Sequence, residues 1–304
     1  MFYTRTVRSS YREEPCRAAL SRVKGMPFAW SLNPYSGCAH RCSFCYVRAF
    51  EQRAERPSGS DYGSSVRVKT NIVELLGREL ARRSWRGEEV AIGTATDPYQ
   101  PAEGRYRLTR GCLEAFGAAA NPFGLITRSP LVVRDLDLLS FAARRAEVSV
   151  TFSVPTLDEQ VWRATEPGTA PPAQRLRALR RLVEAGIRSS VAMAPILPGL
   201  SDRPEQLAAV VGAAREAGAS GIWAGFLRLA PGTREHFLET LARLWPELLP
   251  EYERLYAERA GPPPGRAAAV GAAVAELARA HPPPPLAHTI LRPPRAPRQL
   301  SLEL

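Results

Sequence analysis

The chain has 304 residues, a length that predicts one large domain or two ordinary ones. Its apolar fraction of 45% and charged fraction of 23% are typical of a folded globular protein, which excludes a mostly disordered, collagen-like or disulfide-stapled chain. The net charge of +11 is almost all arginine, since Lys24 and Lys69 are the only lysines. This bias resembles the product of a GC-rich genome, so nucleic acid is only weakly supported as a partner.

Membrane contact and secretion are not expected. No apolar stretch approaches the roughly 18 residues that a membrane helix needs, and residues 1–5 do not resemble the start of a secretory signal. We therefore expect a cytoplasmic protein.

Short apolar runs alternate with helical patterns along the chain. Residues 1–27 are polar and basic without a clear period, and we treat them as an N-terminal extension. Six strand-like runs follow, at residues 28–32, 90–92, 125–127, 148–154, 190–193 and 222–227. Helical spacing predicts helices between them, around residues 72–80, 113–120, 136–143, 176–183 and 237–244. Asp202 and Glu205 predict a capping box that opens a further helix, which ends at Gly218.

Six alternating units predict an α/β fold with a parallel sheet covered by helices. Their spacing suits a barrel or partial barrel as well as an open doubly wound sheet. No GxGxxG or GxxxxGK[ST] loop follows a strand, which disfavours a nucleotide-binding open sheet. We assign residues 28–250 to the core domain. Residues 251–304 form a C-terminal extension, with an Ala-rich helix to about Ala280 and a Pro/Arg-rich tail.

Three of the five cysteines fall together, at Cys38, Cys42 and Cys45. This C-x3-C-x2-C run indicates a metal or iron–sulfur site in a reducing compartment, because thiolates are preferred ligands of soft metals and clusters. Three cysteines in one loop would leave one iron of a [4Fe–4S] cluster open. His40 could complete a zinc set instead, but structural zinc sites usually divide into two separated ligand pairs. Cys112 is expected to be a small buried residue of an apolar helix.

The cysteine run has an aromatic residue, Phe44, before its last cysteine, and C-x3-C-x-Φ-C resembles the signature of the radical S-adenosylmethionine (SAM) enzymes. The fuller run from Asn33 to Tyr46 resembles the branch that includes spore photoproduct lyase and relatives labelled DNA repair photolyases. Further blocks similar to that branch lie at residues 96–103, 127–129, 166–167 and 194–202. The resemblance spans about residues 28–240.

The resemblance implies a radical SAM core, a partial (β/α)6 TIM-like barrel, with a [4Fe–4S] cluster on Cys38, Cys42 and Cys45. It also implies that SAM chelates the open iron and that the reduced cluster cleaves SAM to a 5′-deoxyadenosyl radical, which abstracts hydrogen from a substrate. A one-electron reductant of the flavodoxin or ferredoxin type is expected. The substrate-side catalytic residues stay unknown.

The same resemblance suggests five residues that contact SAM. Thr96 would meet its methionine moiety, Arg128 its carboxylate, and Ser153 the bound cofactor, while Phe44 and Tyr46 would flank its adenine.

Two further polar groups are less specific. The polar run from Asp97 to Glu103 has two interpretations. It either forms a turn and caps a helix, or it binds SAM or the substrate. Glu166 is expected to be an exposed loop residue rather than a pocket residue.

The sequence departs from spore photoproduct lyase at the hydrogen donor. That enzyme uses a cysteine at the end of its second strand, whereas the matching stretch here, residues 93–96, has no thiol. We therefore predict a radical SAM enzyme of unknown substrate that is not a thymine-dimer lyase. Nucleic-acid repair or modification by the same chemistry is one alternative, and a non-catalytic iron–sulfur protein is another.

Overall fold

The computed structural model describes residues 9–283. Its strands are β1 Ser10–Glu14, β2 Leu20–Arg22, β3 Trp30–Leu32, β4 Tyr35–Ser36, β5 Ser65–Lys69, β6 Val90–Ile92, β7 Phe123–Thr127, β8 Val148–Ser153, β9 Arg188–Ile196 and β10 Gly221–Phe226. Its α-helices are α1 Val47–Arg53, α2 Ile72–Leu80, α3 Pro101–Tyr106, α4 Leu108–Ala119, α5 Leu136–Ala143, α6 Glu159–Thr165, α7 Pro172–Glu184, α8 Pro204–Glu216, α9 Thr233–Leu244, α10 Leu249–Leu255 and α11 Pro264–Ala280. Two 3-10 helices cover Pro130–Asp135 and Pro246–Leu248.

Six parallel strands form the main sheet. Its order is β10-β9-β8-β7-β6-β3-β2, and every neighbouring pair is parallel except β2 with β3. These six parallel strands are the six predicted runs, so the α/β class is confirmed. In the described part of the chain the edge strands β10 and β2 do not pair with each other, as in a partial barrel.

One face of the sheet is covered by helices and forms the core. On β8, Val148, Val150 and Phe152 join the apolar core, together with side chains of α2, α4, α5, α7, α8 and α11. Because side chains alternate along a strand, Ser149 and Thr151 point to the opposite face. We call that opposite face the inner face.

A second, three-stranded sheet has the order β1-β5-β4. Strand β1 comes from the segment treated as an extension without clear period, and it pairs in parallel with β5 along residues 10–14 and 65–69. Strand β4 pairs with β5 and leads directly into the cysteine run. The N-terminal segment therefore supports the strand that delivers the cysteines.

Helix ends follow the predicted signals with one exception. Gly186 and Gly218, placed as stops, have positive φ values of 79° and 91°, the left-handed conformation that favours glycine. The predicted capping box is wrong, because α8 begins at Pro204 and Gln206 accepts the N–H of Arg203. Asp202 instead accepts the N–H of Gly199 at 2.7 Å.

The C-terminal helix is confirmed as α11, ending at Ala280. Its Val274 is buried in the main core. The predicted Pro/Arg-rich tail, from residue 284 onward, lies outside the described residues. Between residues 9 and 283, no helix is both long and apolar enough to cross a membrane.

Candidate functional site

The cysteine loop, residues 37–45, connects β4 to α1 and carries three free thiols. Cys38 and Cys42 are buried, and Cys45 is half-buried. The N–H of Arg41 donates to the carbonyl of Cys38 at 3.3 Å, and the N–H of Cys45 donates to that of Cys42 at 3.2 Å. Burial raises the pKa of the Cys42 and Cys45 thiols, because the thiolate is poorly solvated there. Ionising these thiols therefore requires nearby positive charge, such as a bound metal.

Segments that are distant in sequence pack around this loop. The N–H of Ser43 donates to the carbonyl of Thr165 at 2.8 Å, and the hydroxyl of Thr233 donates to the carbonyl of Cys45 at 3.0 Å. A Cβ at Gly168 would lie 2.5 Å from a backbone oxygen of the loop, so this close approach requires glycine. Because these segments follow β8 and β10, the loop lies across the carboxyl ends of the strands, where barrel folds bind ligands.

Thr96 and Gln100 hold the loop from the segment after β6. The hydroxyl of Thr96 donates to the carbonyl of Gly37 at 2.7 Å. The amide nitrogen of Gln100 donates to the same carbonyl at 3.1 Å and to the Thr96 hydroxyl at 2.7 Å. The amide oxygen of Gln100 accepts the N–H of Ala39 at 2.9 Å. Thr96 is a predicted SAM contact, and its hydroxyl thus donates its hydrogen to a backbone carbonyl of the loop.

Asp97 joins the loop to β7. Its carboxylate accepts the hydroxyl of Thr127 and the N–H of Arg128, both at 2.7 Å, and the N–H of Tyr99 at 2.8 Å. His40 Nδ1 lies 3.4 Å from Asp97 Oδ2 without alignment for a hydrogen bond. Burial opposes protonation of His40, but the negative charge available at Cys38 and Asp97 raises its pKa to about 10. The raised pKa favours the protonated form of His40 beside the cysteines.

Arg128 bridges the loop to β9. Its guanidinium donates to Glu166 Oε1 at 2.7 Å and to the carbonyl of Ala194 at 3.0 Å, and it lies 5.3 Å from the centroid of the Phe44 ring. Glu166 also pairs with Arg175. The expectation that Glu166 is exposed is wrong, because these two arginines draw it into the interior. Burial opposes its ionisation, but the two arginines hold its pKa below the usual value.

The three other predicted SAM contacts lie in different surroundings. Phe44 is 5% exposed and packs in a small apolar cluster with Cys42. Tyr46 is 46% exposed, and its hydroxyl donates to the carbonyl of Thr94. Ser153 ends β8, and its hydroxyl has no hydrogen-bond partner among residues 9–283. Ser153 is the predicted contact whose polar group is free to meet a ligand.

Arg48 is buried beneath the loop, with 1% of its surface exposed. Its guanidinium lies 4.5 Å from the centroid of the Tyr62 ring, and the Tyr62 hydroxyl lies 3.3 Å from Cys45 Sγ. Among the described residues it forms no ion pair with a carboxylate, since its partners are backbone carbonyls of Arg41, Cys42, Ser58 and Gly59. A buried cation without a counter-anion is costly, so the arrangement favours negative charge on the adjacent sulfur atoms.

Arg48 and Tyr62 were not identified from the sequence. The available signal for Arg48 is its position three residues after Cys45, in the first turn of α1. Tyr62 has no local signal, because only the fold brings it to Cys45.

These residues fit an iron–sulfur cluster better than a single ion. Within residues 9–283, no three His, Cys, Asp or Glu side chains converge closely enough to hold one metal ion. A [4Fe–4S] cluster takes its thiolates at separate irons, and with three thiolates it carries net negative charge. Three thiols spread over one loop, with the buried arginine Arg48 and the protonatable imidazole of His40 nearby, suit that charge.

Comparison with known proteins places this site in a family. Residues 32–211 match the family model of the radical SAM superfamily. An uncharacterized protein of Mycobacterium tuberculosis is 40% identical over 256 residues, covering 83% of this chain and 75% of that protein. The chain belongs to the radical SAM superfamily, whose members are enzymes that use a [4Fe–4S] cluster and SAM.

Two named proteins are also similar. The radical SAM Nalpha-GlyT isomerase of Pseudomonas phage M6 is 27% identical over 168 residues, covering 55% of this chain and 33% of the phage protein. A spore photoproduct lyase variant with bound AdoMet and dinucleoside spore photoproduct superposes with a TM-score of 0.65 at 16% identity, covering 92% of this chain and 84% of that chain. This structural likeness shows that the two proteins share a fold.

Proposed function

We propose that the protein is a radical SAM enzyme whose [4Fe–4S] cluster is held by Cys38, Cys42 and Cys45, with SAM at the remaining iron. The carrying observation is the loop with three free thiols across the carboxyl ends of the parallel strands. The other two cysteines are unsuited as a fourth ligand. Cys112 is buried in the core behind the sheet, and Cys16 is hydrogen-bonded to Asn71.

When bound, the cluster and SAM supply a 5′-deoxyadenosyl radical that abstracts a hydrogen atom from the substrate. The chain contributes positioning and charge. Thr96 and Gln100 shape the loop, and Arg48 and His40 offset the negative charge of the thiolates.

We assign SAM contacts to Ser153, Arg128, Thr96, Phe44 and Tyr46 on the grounds of the family resemblance. Ser153 supports this assignment best, because its hydroxyl is free. Arg128 would have to share its guanidinium between Glu166 and the SAM carboxylate.

A second candidate function is repair or modification of a nucleobase by the same radical chemistry. It is favoured by the dinucleoside bound to the structurally similar spore photoproduct lyase. A cysteine hydrogen donor is absent from residues 93–96, and Cys112 is enclosed in the core, so the reaction would not use that lyase's thiol step. A flavodoxin- or ferredoxin-type reductant and a cytoplasmic location complete the proposal, since free thiols suit a reducing compartment.

Anaerobic reconstitution with iron and sulfide tests the proposal. The full chain should take up about four irons, become coloured, and form 5′-deoxyadenosine from SAM when dithionite is added. The variant C42S should lose both properties, while C16S, which changes a cysteine outside the loop, should keep them. A coloured protein that leaves SAM intact would identify the non-catalytic alternative, and a colourless protein would contradict both.

A further inference from the structure

The inner face of the sheet is lined by unusually small side chains near β10. Bulky branched residues normally fill the interior of a closed barrel. Here the register places Thr151, Ser190 and Gly221 in one row across β8, β9 and β10. The next row toward the carboxyl ends is Ser153, Ala192 and Trp223. Five of these six positions hold small residues, so Trp223 is the bulky side chain of the two rows.

Trp223 is the one large side chain in those rows, and it is 48% exposed. Its neighbours along the strand, Ile222 and Ala224, pack against the helix-covered core. Because side chains alternate along a strand, the indole lies on the opposite, inner face. Glycines flank it on the same face at positions 221 and 225, and a Cβ at Gly225 would lie 3.1 Å from Trp223 Cζ3. Among residues 9–283 the indole makes no ring contact and its N–H has no acceptor. One face of the ring is therefore free for a ligand.

Strand β10, which carries the indole, is linked to the cysteine loop through Ala194 on β9 and Arg128. A Cβ at Gly225 would lie 2.8 Å from Ala194 Cβ, and the carbonyl of Ala194 accepts a hydrogen bond from Arg128 at 3.0 Å. Arg128 in turn lies over Phe44 in the loop. Trp223 is also on β10, an edge strand of the main sheet.

We infer that Trp223 is the stacking platform for a nucleobase of the substrate, with the hydroxyl of Thr151 facing the polar edge of that base. The inference rests on the proposed function and deepens it by naming the substrate class. Indoles stack on any base, and base–aromatic stacking is a major source of binding energy in nucleic-acid proteins.

The polar neighbours favour a base over a hydrocarbon ring. The hydroxyl of Thr151 has no hydrogen-bond partner among the described residues. A phenyl ring would leave it unpaired when it excludes water, whereas a base edge supplies donors and acceptors. A nucleobase matches this combination of an aromatic ring and a polar edge.

Equilibrium dialysis of the full chain against the four deoxynucleoside 5′-monophosphates and a short single-stranded DNA tests the inference. We expect saturable binding that W223L weakens about tenfold, the factor typical of one lost stack, and that W223F largely retains. F141L changes an exposed aromatic residue on α5, on the helix-covered side, and should leave binding unchanged. T151V should alter the preference among the four bases. Preference for the DNA over the mononucleotides would identify nucleic acid as the source of the base.

Three results would overturn the inference. The first is nucleotide binding that W223L does not change, and the second is no binding at all while thermal unfolding shows an intact fold. The third is an equal weakening of SAM binding by W223L, which would assign the indole to the adenine of SAM. All three are distinct from failure of the proposed function, since 5′-deoxyadenosine formation is measured separately and needs no substrate base. Binding with a colourless, inactive protein would support the Trp223 platform while contradicting the cluster.

Discussion

Arg48 and Tyr62 form a cation–π pair beneath the cysteine loop, with the guanidinium 4.5 Å from the ring centroid and the Tyr62 hydroxyl 3.3 Å from Cys45 Sγ. Neither residue has a carboxylate partner among residues 9–283. The pair thus places a buried positive charge and a hydrogen-bond donor on one side of the thiols. Both features lower the cost of adding an electron to a cluster held there.

We expect R48Q to make the cluster harder to reduce. Removing a buried charge should lower the midpoint potential by about 60 mV, equal to a tenfold change in a one-electron equilibrium. R48K should restore most of the potential because it restores the charge. A potentiometric titration followed by EPR measures the shift. R53Q, which alters an exposed arginine on the same helix, serves as the control. Equal potentials in R48Q and the parent protein would show that Arg48 only supports the backbone.

Y62F should shift the potential in the same direction by a smaller amount. The substitution removes the hydroxyl near Cys45 Sγ and keeps the ring under Arg48. Hydrogen bonds to cluster sulfurs raise the reduction potential, so their loss lowers it. Y106F removes an exposed hydroxyl bonded to Glu13 and is the matched control. If Y62F and Y106F have identical potentials, the Tyr62 hydroxyl does not act on the cluster.

Q100L should impair cluster retention more than it impairs the fold. The change removes the acceptor of the Ala39 N–H and a donor to the Gly37 carbonyl. Leaving these buried groups unpaired costs about 1–3 kcal/mol. Q206L also removes two glutamine hydrogen bonds, but at the start of α8. Iron content after desalting, compared with urea unfolding, separates the two effects. Equal iron loss in both variants would count against a role of Gln100 in the loop.

Asp135 should give the fold a measurable acid sensitivity. Burial opposes its ionisation, but Arg134 and Arg110, at 2.7 and 2.8 Å, hold its pKa below the usual value. A carboxyl with a lowered pKa in the folded state stabilises the protein above its unfolded pKa, near 3.9, and this contribution disappears as the pH falls through the folded pKa.

D135N tests that expectation. It should destabilise the protein by about 3 kcal/mol at neutral pH, since it breaks a buried ion pair. It should also flatten the fall in stability below about pH 4. D137N alters an exposed carboxylate on the same arginine and should change stability little. Urea unfolding across the pH range checks both variants, and an unchanged acid slope in D135N would refute the assignment.

The sequence predicted the six strands of the main sheet because their signal is local. Val148, Val150 and Phe152 show both the β-branched or aromatic type and the alternation that a half-buried strand requires. The three loop cysteines were identified for a similar reason, since their chemistry depends on a short spacing. Both kinds of information lie within a few residues.

Features that depend on distant partners were missed or misjudged. The pairing of β1 with β5 joins segments 55 residues apart, and residues 10–14 show no hydrophobic periodicity that would predict it. In the sequence Glu166 is an ordinary loop carboxylate, and only the fold brings Arg128 and Arg175 to it. The hydrogen bond from the Thr96 hydroxyl to the carbonyl of Gly37, 59 residues away in sequence, also has no local signal. Tertiary contact decides each of these roles.

The contacts that enclose the cysteine loop have a consequence for biosynthesis. Ser43 is hydrogen-bonded to Thr165, 122 residues later, and Cys45 is hydrogen-bonded to Thr233, 188 residues later. A nascent chain exposes its thiols to the cell long before these segments leave the ribosome. The enclosed site therefore forms only after most of the polypeptide has been synthesised. A truncated product that ends before Thr233 would lack the hydroxyl that binds the carbonyl of Cys45, and its cysteine loop would be incompletely enclosed.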